Sequence, residues 1–213
     1  MNLIYYNLIF WKNKSKTHIS DETMLKNNSG CVISVFHYGV YQIIPYILSK
    51  FTKKDIIIYA NEEMSKSVLK VIMTLEGEIP KNLIVLSLDY KSVFKAVRSV
   101  KNGAILLIMP EIDLGNTQKD EKNKATINFM GKNLVVPSGP VKIAEMTKSD
   151  IYSLYIDEKI DSLNLNFKKI NTRNNLNDSI KELWKNLEET VAENPHKWSI
   201  WERMDDLYYE IPK

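Results

Sequence analysis

Three places in this chain set a residue able to do acid/base or anion chemistry at the end of an apolar run. The first is Val32-Ile33-Ser34-Val35-Phe36, which stops on His37-Tyr38-Gly39. A β-branched run bounded upstream by Asn28-Ser29-Gly30 reads as a fully buried strand, and the pattern Ile43, Ile44, Ile47, Leu48 reads as a helix after it. His37 is therefore expected just past the C-terminal end of a central strand, where open α/β sheets hold their ligands. An imidazole there can take a proton from an attacking hydroxyl or amine. A satisfied buried histidine at a strand end is the other reading.

The second place is Ile105-Leu106-Leu107-Ile108-Met109, followed by Pro110, Glu111 and Asp113. Pro110 must end the strand ladder, so Glu111 is expected at the same sheet edge as His37. Two parallel strands that deliver a base and a carboxylate to one edge make the geometry of acid/base and acyl-transfer sites. Against this, the polar stretch from Gly115 to Lys124 makes a solvated loop equally natural. The third place is Val136-Pro137-Ser138-Gly139-Pro140 at a helix start, where free backbone N–H groups hold a phosphate or an oxyanion. Its two prolines remove donors, and a rigid turn is the plainer reading.

The elements that must position these residues alternate along the chain. Strands are expected over 31–36, 55–60, 83–88, 104–109 and 151–156, with helices at about 40–51, 62–75, 90–101 and 138–147. Alternation of this kind predicts βαβ units and a mainly parallel central sheet flanked by helices, an α/β fold. Residues 125–129 and 133–136 around Met130-Gly131-Lys132 read as a hairpin excursion, and 163–170 as an edge strand. Ser179 and Glu182 stand at capping-box spacing ahead of the last long helix, which Pro195 ends. Residues 28–213 are expected to form one domain, preceded by an amphipathic, aromatic segment over 1–27.

Bulk properties narrow the function classes. The 213 residues are 44% hydrophobic and 26% charged, with a net charge of +3, too small to argue for nucleic acid. The one cysteine, Cys31, excludes an internal disulfide and points to the cytoplasm as a packed, reduced thiol. His18 and His196 lack ligand spacing to other His, Cys or carboxylate residues, so no metal is expected. No stretch reaches the roughly 18 apolar residues that span a bilayer. Residues 1–16, aromatic and then basic at Lys12, Lys14 and Lys16, read either as a segment lying in a membrane interface or as one packed on the domain.

Taken in order, several segments resemble one family: His37-Tyr38-Gly39, the acids after a later strand, Phe129-Met130-Gly131, Pro137-Ser138-Gly139-Pro140, and the closing Pro195-His196-Lys197-Trp198-Ser199-Ile200-Trp201-Glu202-Arg203. They are similar to the late acyltransferases of lipid A biosynthesis, within the lysophospholipid acyltransferase superfamily, over about residues 28–204. That family closes on Pro-Xaa-Gln-Trp-Xaa-Trp-Xaa-Xaa-Arg, to which Pro195, Trp198, Trp201 and Glu202 or Arg203 correspond. The resemblance implies a glycerolipid-acyltransferase-like fold. It also implies transfer of a fatty acyl group from an acyl carrier protein or coenzyme A thioester to a hydroxyl or amine of a lipid or glycolipid. The thioester is a co-substrate, and no cofactor is implied.

On the same resemblance His37 is the catalytic base. Met109-Pro110-Glu111 is similar to the superfamily's Phe-Pro-Glu-Gly block, whose Glu helps bind the acceptor; Gln42, expected to orient His37, joins Gly39, Asp113, Ser138 and Gly139 in the substrate-binding set. The chain departs from the family's His-Xaa4-Asp/Glu motif, because Gln42 stands five residues after His37. An amide can hold the imidazole tautomer but cannot stabilise an imidazolium by charge, so Glu111 or Asp113 is expected to supply that charge. A degenerate module that binds an acyl chain or carrier protein, and an enzyme acylating a peptide or metabolite amine, remain as alternatives. The location implied is the cytoplasm or the inner face of the cytoplasmic membrane. Trp198 and Trp201 are expected to seal a helix against the core, outside the site. The central expectation is spatial: His37 and Glu111 share one cleft with apolar walls.

Overall fold

The structure, a computed structural model, describes residues 16–87, 89–111, 124–159, 161–172 and 175–201. The short β1 (Lys16–Ile19) and α1 (Thr23–Lys26) lead into β2 (Cys31–Val35). Then come α2 (Ile44–Phe51), β3 (Ile56–Ala60), α3 (Glu62–Glu76), β4 (Leu83–Ser87), α4 (Tyr90–Lys101) and β5 (Ile105–Ile108). A hairpin of β6 (Lys124–Phe129) and β7 (Lys132–Pro137) follows, then α5 (Gly139–Thr147), β8 (Asp150–Glu158), β9 (Ser162–Ile170) and α6 (Leu176–Glu193).

The main sheet has seven strands in the order β1-β9-β8-β2-β5-β3-β4. Strands β8, β2, β5, β3 and β4 run parallel, while β9 is antiparallel to β8 and carries β1 beside it. Every residue of β2, β3 and β5 is buried, as unbroken apolar runs demand when helices cover both faces. One core holds Ile33, Val35, Ile58 and Leu107 beneath α2 and α3. The other holds Val32, Phe36, Leu106 and Trp184 beneath α4, α5, α6 and the hairpin.

Three expectations need correction. β9 is not an edge strand, because β1 pairs outside it from Lys16 to Ile19. The segment before residue 28 is thus part of the sheet from Lys16 onward, while residues 1–15, where the aromatic and basic cluster lies, are outside the described residues. A four-residue strand with Ile19 as its one apolar residue carries too short a period to be read from sequence. Helix α6 is capped by Asn175, whose side chain accepts from the Asp178 N–H at 3.0 Å, and not by Ser179. Ser179 lies one turn inside, buried, with its hydroxyl donating to the Asn171 carbonyl at 3.0 Å.

The hairpin turn forms as its sequence directs. Met130 (φ 50°) and Gly131 (φ 79°) both have positive φ, the geometry of a tight two-residue turn whose twist matches that of the strands. This brings Phe129 between two tryptophans, its ring 5.7 Å from that of Trp184 and 5.4 Å from that of Trp198. The hairpin therefore fixes the position of Trp198, a residue of the site below.

Candidate active site

Strand register brings the site together. Ser34 of β2 pairs with Ile108 of β5, and three residues beyond each stand His37 and Glu111. Both leave the sheet at the same height on neighbouring parallel strands. His37 Nδ1 lies 2.6 Å from Glu111 Oε2, and the His37 backbone N–H donates to the same oxygen at 2.8 Å. Facing a carboxylate, Nδ1 carries the ring proton, which leaves Nε2 with the lone pair.

The pair is deeply buried: His37 is 2% exposed and Glu111 1%. A buried carboxylate is tolerable only when hydrogen bonds replace its lost hydration. Glu111 has three: the two from His37 to Oε2, and the Trp198 indole N–H donating to Oε1 at 2.5 Å. By contrast, His37 Nε2 is buried with no partner among the described residues.

The turn after His37 is pinned from two sides. Gly39 has φ +60°, and its N–H donates to the Lys197 carbonyl at 2.9 Å. The Val40 N–H donates to Glu158 Oε1 at 2.6 Å, and a Cβ on Gly39 would sit 2.6 Å from that same oxygen. From the C-terminal segment, the Ser199 N–H and hydroxyl both donate to the His37 carbonyl, at 2.9 and 3.1 Å. The chain can turn sharply here because position 39 lacks a Cβ.

The orienting place on Nδ1 expected of Gln42 is taken by Glu111. The Tyr41 ring packs edge-on against His37, with centroids 4.8 Å apart. Burial pushes the Tyr41 phenol up to about 12, with a further push from the Glu111 charge, so Tyr41 stays a neutral phenol at ordinary pH.

Tyr41 also lines a narrow apolar crevice with Val35, Ile58, Val68, Leu107 and Met109, whose free volume is about 10 Å³, the room of one water. Neither His37 nor Glu111 lines this crevice, so the shared apolar cleft expected for the two is not this one.

Ser138 and Gly139 stand at the start of α5. That helix ends just before Asp150, where β8 begins, so it runs back along the sheet and its N-terminus lies toward the His37 edge. Among the described residues the Ser138 hydroxyl is buried without a partner, and the space over the Gly139 Cα is open. Asp113 lies outside the described residues, as do Glu202 and Arg203.

Sequence reasoning left Trp198, Ser199, Glu158 and Tyr41 out of the site. Trp198 and Ser199 had a signal in the chain, their place in the closing segment, and Tyr41 stands four residues after His37; Glu158 reaches the site through a contact distant in sequence. Among the described residues no group of three or more His, Cys, Asp or Glu could hold a metal ion. No helix among them is long and apolar enough to cross a membrane.

No protein-family model matches the chain, and no curated protein does. Among solved structures it is similar to the 1-acyl-sn-glycerophosphate acyltransferase PlsC from Thermotoga maritima, at 16% identity and a TM-score of 0.47. That likeness covers 88% of this chain and 77% of the other. At this extent of likeness no residue and no activity is carried over.

Proposed function

We propose that the chain is an acyltransferase of the lysophospholipid acyltransferase type. It moves a fatty acyl group from an acyl carrier protein or coenzyme A thioester to a hydroxyl or amine of a lipid or glycolipid acceptor. The observation that carries this reading is the buried pair in which Glu111 holds His37 Nδ1 while Nε2 has no partner among the described residues. A purely structural histidine at 2% exposure would be expected to satisfy both nitrogens.

In this mechanism His37 Nε2 takes the proton from the acceptor hydroxyl or amine as its oxygen or nitrogen attacks the thioester carbonyl. The tetrahedral intermediate collapses, the C–S bond breaks, and the departing thiolate takes the proton back from Nε2. Glu111 stabilises the imidazolium between these two transfers and keeps the ring from rotating. A thioester is already activated, so the cycle closes without nucleotide or metal. The start of α5 at Ser138-Gly139 takes an anionic part of the donor or acceptor. Because Nε2 is buried, the acceptor reaches it only after a neighbouring side chain moves, and the Tyr41 ring packed edge-on against His37 is one such neighbour.

The test is His37→Gln, which keeps volume and polarity. Thiol release would be followed from fatty acyl-coenzyme A and from acyl carrier protein, with lysophospholipid and glycolipid acceptors and mass spectrometry of the products. Transfer by the parent and its loss in a variant with an unchanged circular dichroism spectrum is the expected result. Equal transfer by both proteins removes His37 from the mechanism.

A second reading draws on the same burial. A module that holds an acyl chain without turning it over needs no access to Nε2. It predicts an acyl chain copurifying with the protein, no thiol release with any donor, and acyl retention unaffected by His37→Gln.

A further inference from the structure

The two oxygens of Glu111 are supplied unequally. Oε2 receives both donors of His37, the ring Nδ1–H and the backbone N–H, whereas the described donor to Oε1 is the Trp198 indole at 2.5 Å. We infer that Trp198 is a positioning residue for the His37–Glu111 pair, acting through the carboxylate rather than as a plug for the core. This rests on the function proposed above for what the pair does, but not for whether Trp198 positions it.

Four observations converge on that role. The indole N–H meets a carboxylate 1% exposed, so without it Oε1 is a buried anionic oxygen with no water to replace the lost donor. The carboxylate could then rotate about its last bond, and its hold on Nδ1 would loosen. The indole is itself held rigidly, its ring 5.4 Å from Phe129 and 4.8 Å from Trp201. Next to it Ser199 binds the His37 carbonyl with two donors, so consecutive residues grip both members of the pair. Finally, Tyr38 and Trp198 form an isolated antiparallel bridge, which ties the turn carrying His37 to the segment carrying the indole. Trp201 offers the contrast: it is 40% exposed, and its indole donates to the Pro195 carbonyl at 2.7 Å, closing its own segment only.

The experiment uses the whole chain with ¹⁵N-labelled histidine and tryptophan. In the parent, the His37 Nδ1–H proton is expected far downfield and one of the four indole N–H signals is expected shifted and protected from exchange. Trp198→Phe keeps most of the ring and removes the donor. It should move the Nδ1–H signal upfield or broaden it, whereas Trp201→Phe should leave it in place. If Trp198→Phe does not fold, Glu111→Gln reads the same contact from the other side, by displacing that one indole signal and none of the other three.

Kinetics give a second arm. Trp198→Phe is expected to lower kcat by about 10- to 100-fold, as for one hydrogen bond to a charged group, with KM within about twofold. In a Glu111→Gln background the same change should cost less than about twofold, since the group it acts through is already altered. An unmoved Nδ1–H signal in Trp198→Phe, an unmoved indole in Glu111→Gln, or equal losses in both backgrounds would overturn the inference. If no donor supports transfer by the parent protein, the functional reading fails while the resonances still decide the role of Trp198.

Discussion

The two ends of the central strands each hold a charged or ionisable group against main chain, and they differ by one spare valence. At the start of the strands, Lys54 donates to the Met24 carbonyl at 2.6 Å, the Ser29 carbonyl at 2.6 Å and the Asn27 side chain at 3.0 Å. All three ammonium donors are used, and the result is a clamp joining α1 to the approaches of β2 and β3. At the finish of the strands, His37 is held as firmly through Nδ1, its carbonyl and its N–H, yet Nε2 has no partner among the described residues. Saturation marks a structural group. A rigidly oriented group with one unused lone pair is equipped for proton transfer.

The sharpest way to break this contrast is Glu111→Gln. It keeps the shape and a hydrogen-bonding atom near Nδ1 but removes the charge that stabilises the imidazolium. Transfer should fall by about 10³- to 10⁴-fold, by analogy with the loss of the acid in a catalytic triad, with little change in circular dichroism. A loss under tenfold would mean that the carboxylate is as structural as Lys54.

Gly39→Ala is expected next. The φ of +60° alone disfavours a side chain by about 1–2 kcal/mol, and the new Cβ would meet Glu158 Oε1. Both the denaturation midpoint and the transfer rate should drop, because the turn that aims His37 loses its Val40–Glu158 hold. Unchanged transfer in a destabilised protein would show that this turn does not aim the ring.

Lys54→Met probes the other end. It strips donors from two carbonyls at a half-exposed position and should lower stability by about 1 kcal/mol while leaving transfer at the parental rate. A change in transfer larger than in stability would undo the division between the two ends.

The smallest effect belongs to Cys31, also at the start of β2. Burial pushes its thiol up to about 12 from an ordinary 9.0, and Asp150 adds to the shift while Lys54 opposes it. Native protein should therefore not react with a thiol reagent at pH 8, and unfolded protein should react at once. The folded state holds this proton more tightly than the unfolded one. The contribution to stability is therefore complete below pH 9 and is lost as pH rises from there through about 12. Tyr41 acts in the same sense from its ordinary 10.0. In Cys31→Ala the alkaline fall in melting temperature should be shallower.

Much of this architecture is legible in local pattern. The unbroken runs at Cys31–Val35, Ile56–Ala60 and Ile105–Ile108 admit only strands covered on both faces, and Met130-Gly131 admits only a tight turn. What misled was sparse local signal. Lys16–Ile19 has four residues and no apolar stripe, and Ser179 imitates a cap that Asn175 supplies one turn earlier. Gln42 misled for another reason: a spacing of five residues cannot show that a carboxylate arriving after a different strand already holds Nδ1.

The chain by itself determined that a histidine and a glutamate would each follow a buried parallel strand, because apolar runs and Pro110 act over a few residues. It did not determine that β2 and β5 are neighbours in a register that sets Ser34 against Ile108. Nor did it determine that residues 87 positions downstream of Glu111 would return to hold its second oxygen. Those facts depend on which surfaces pack together once the sheet and its helices exist. Such a choice is made by the summed burial of two cores and by no residue taken alone.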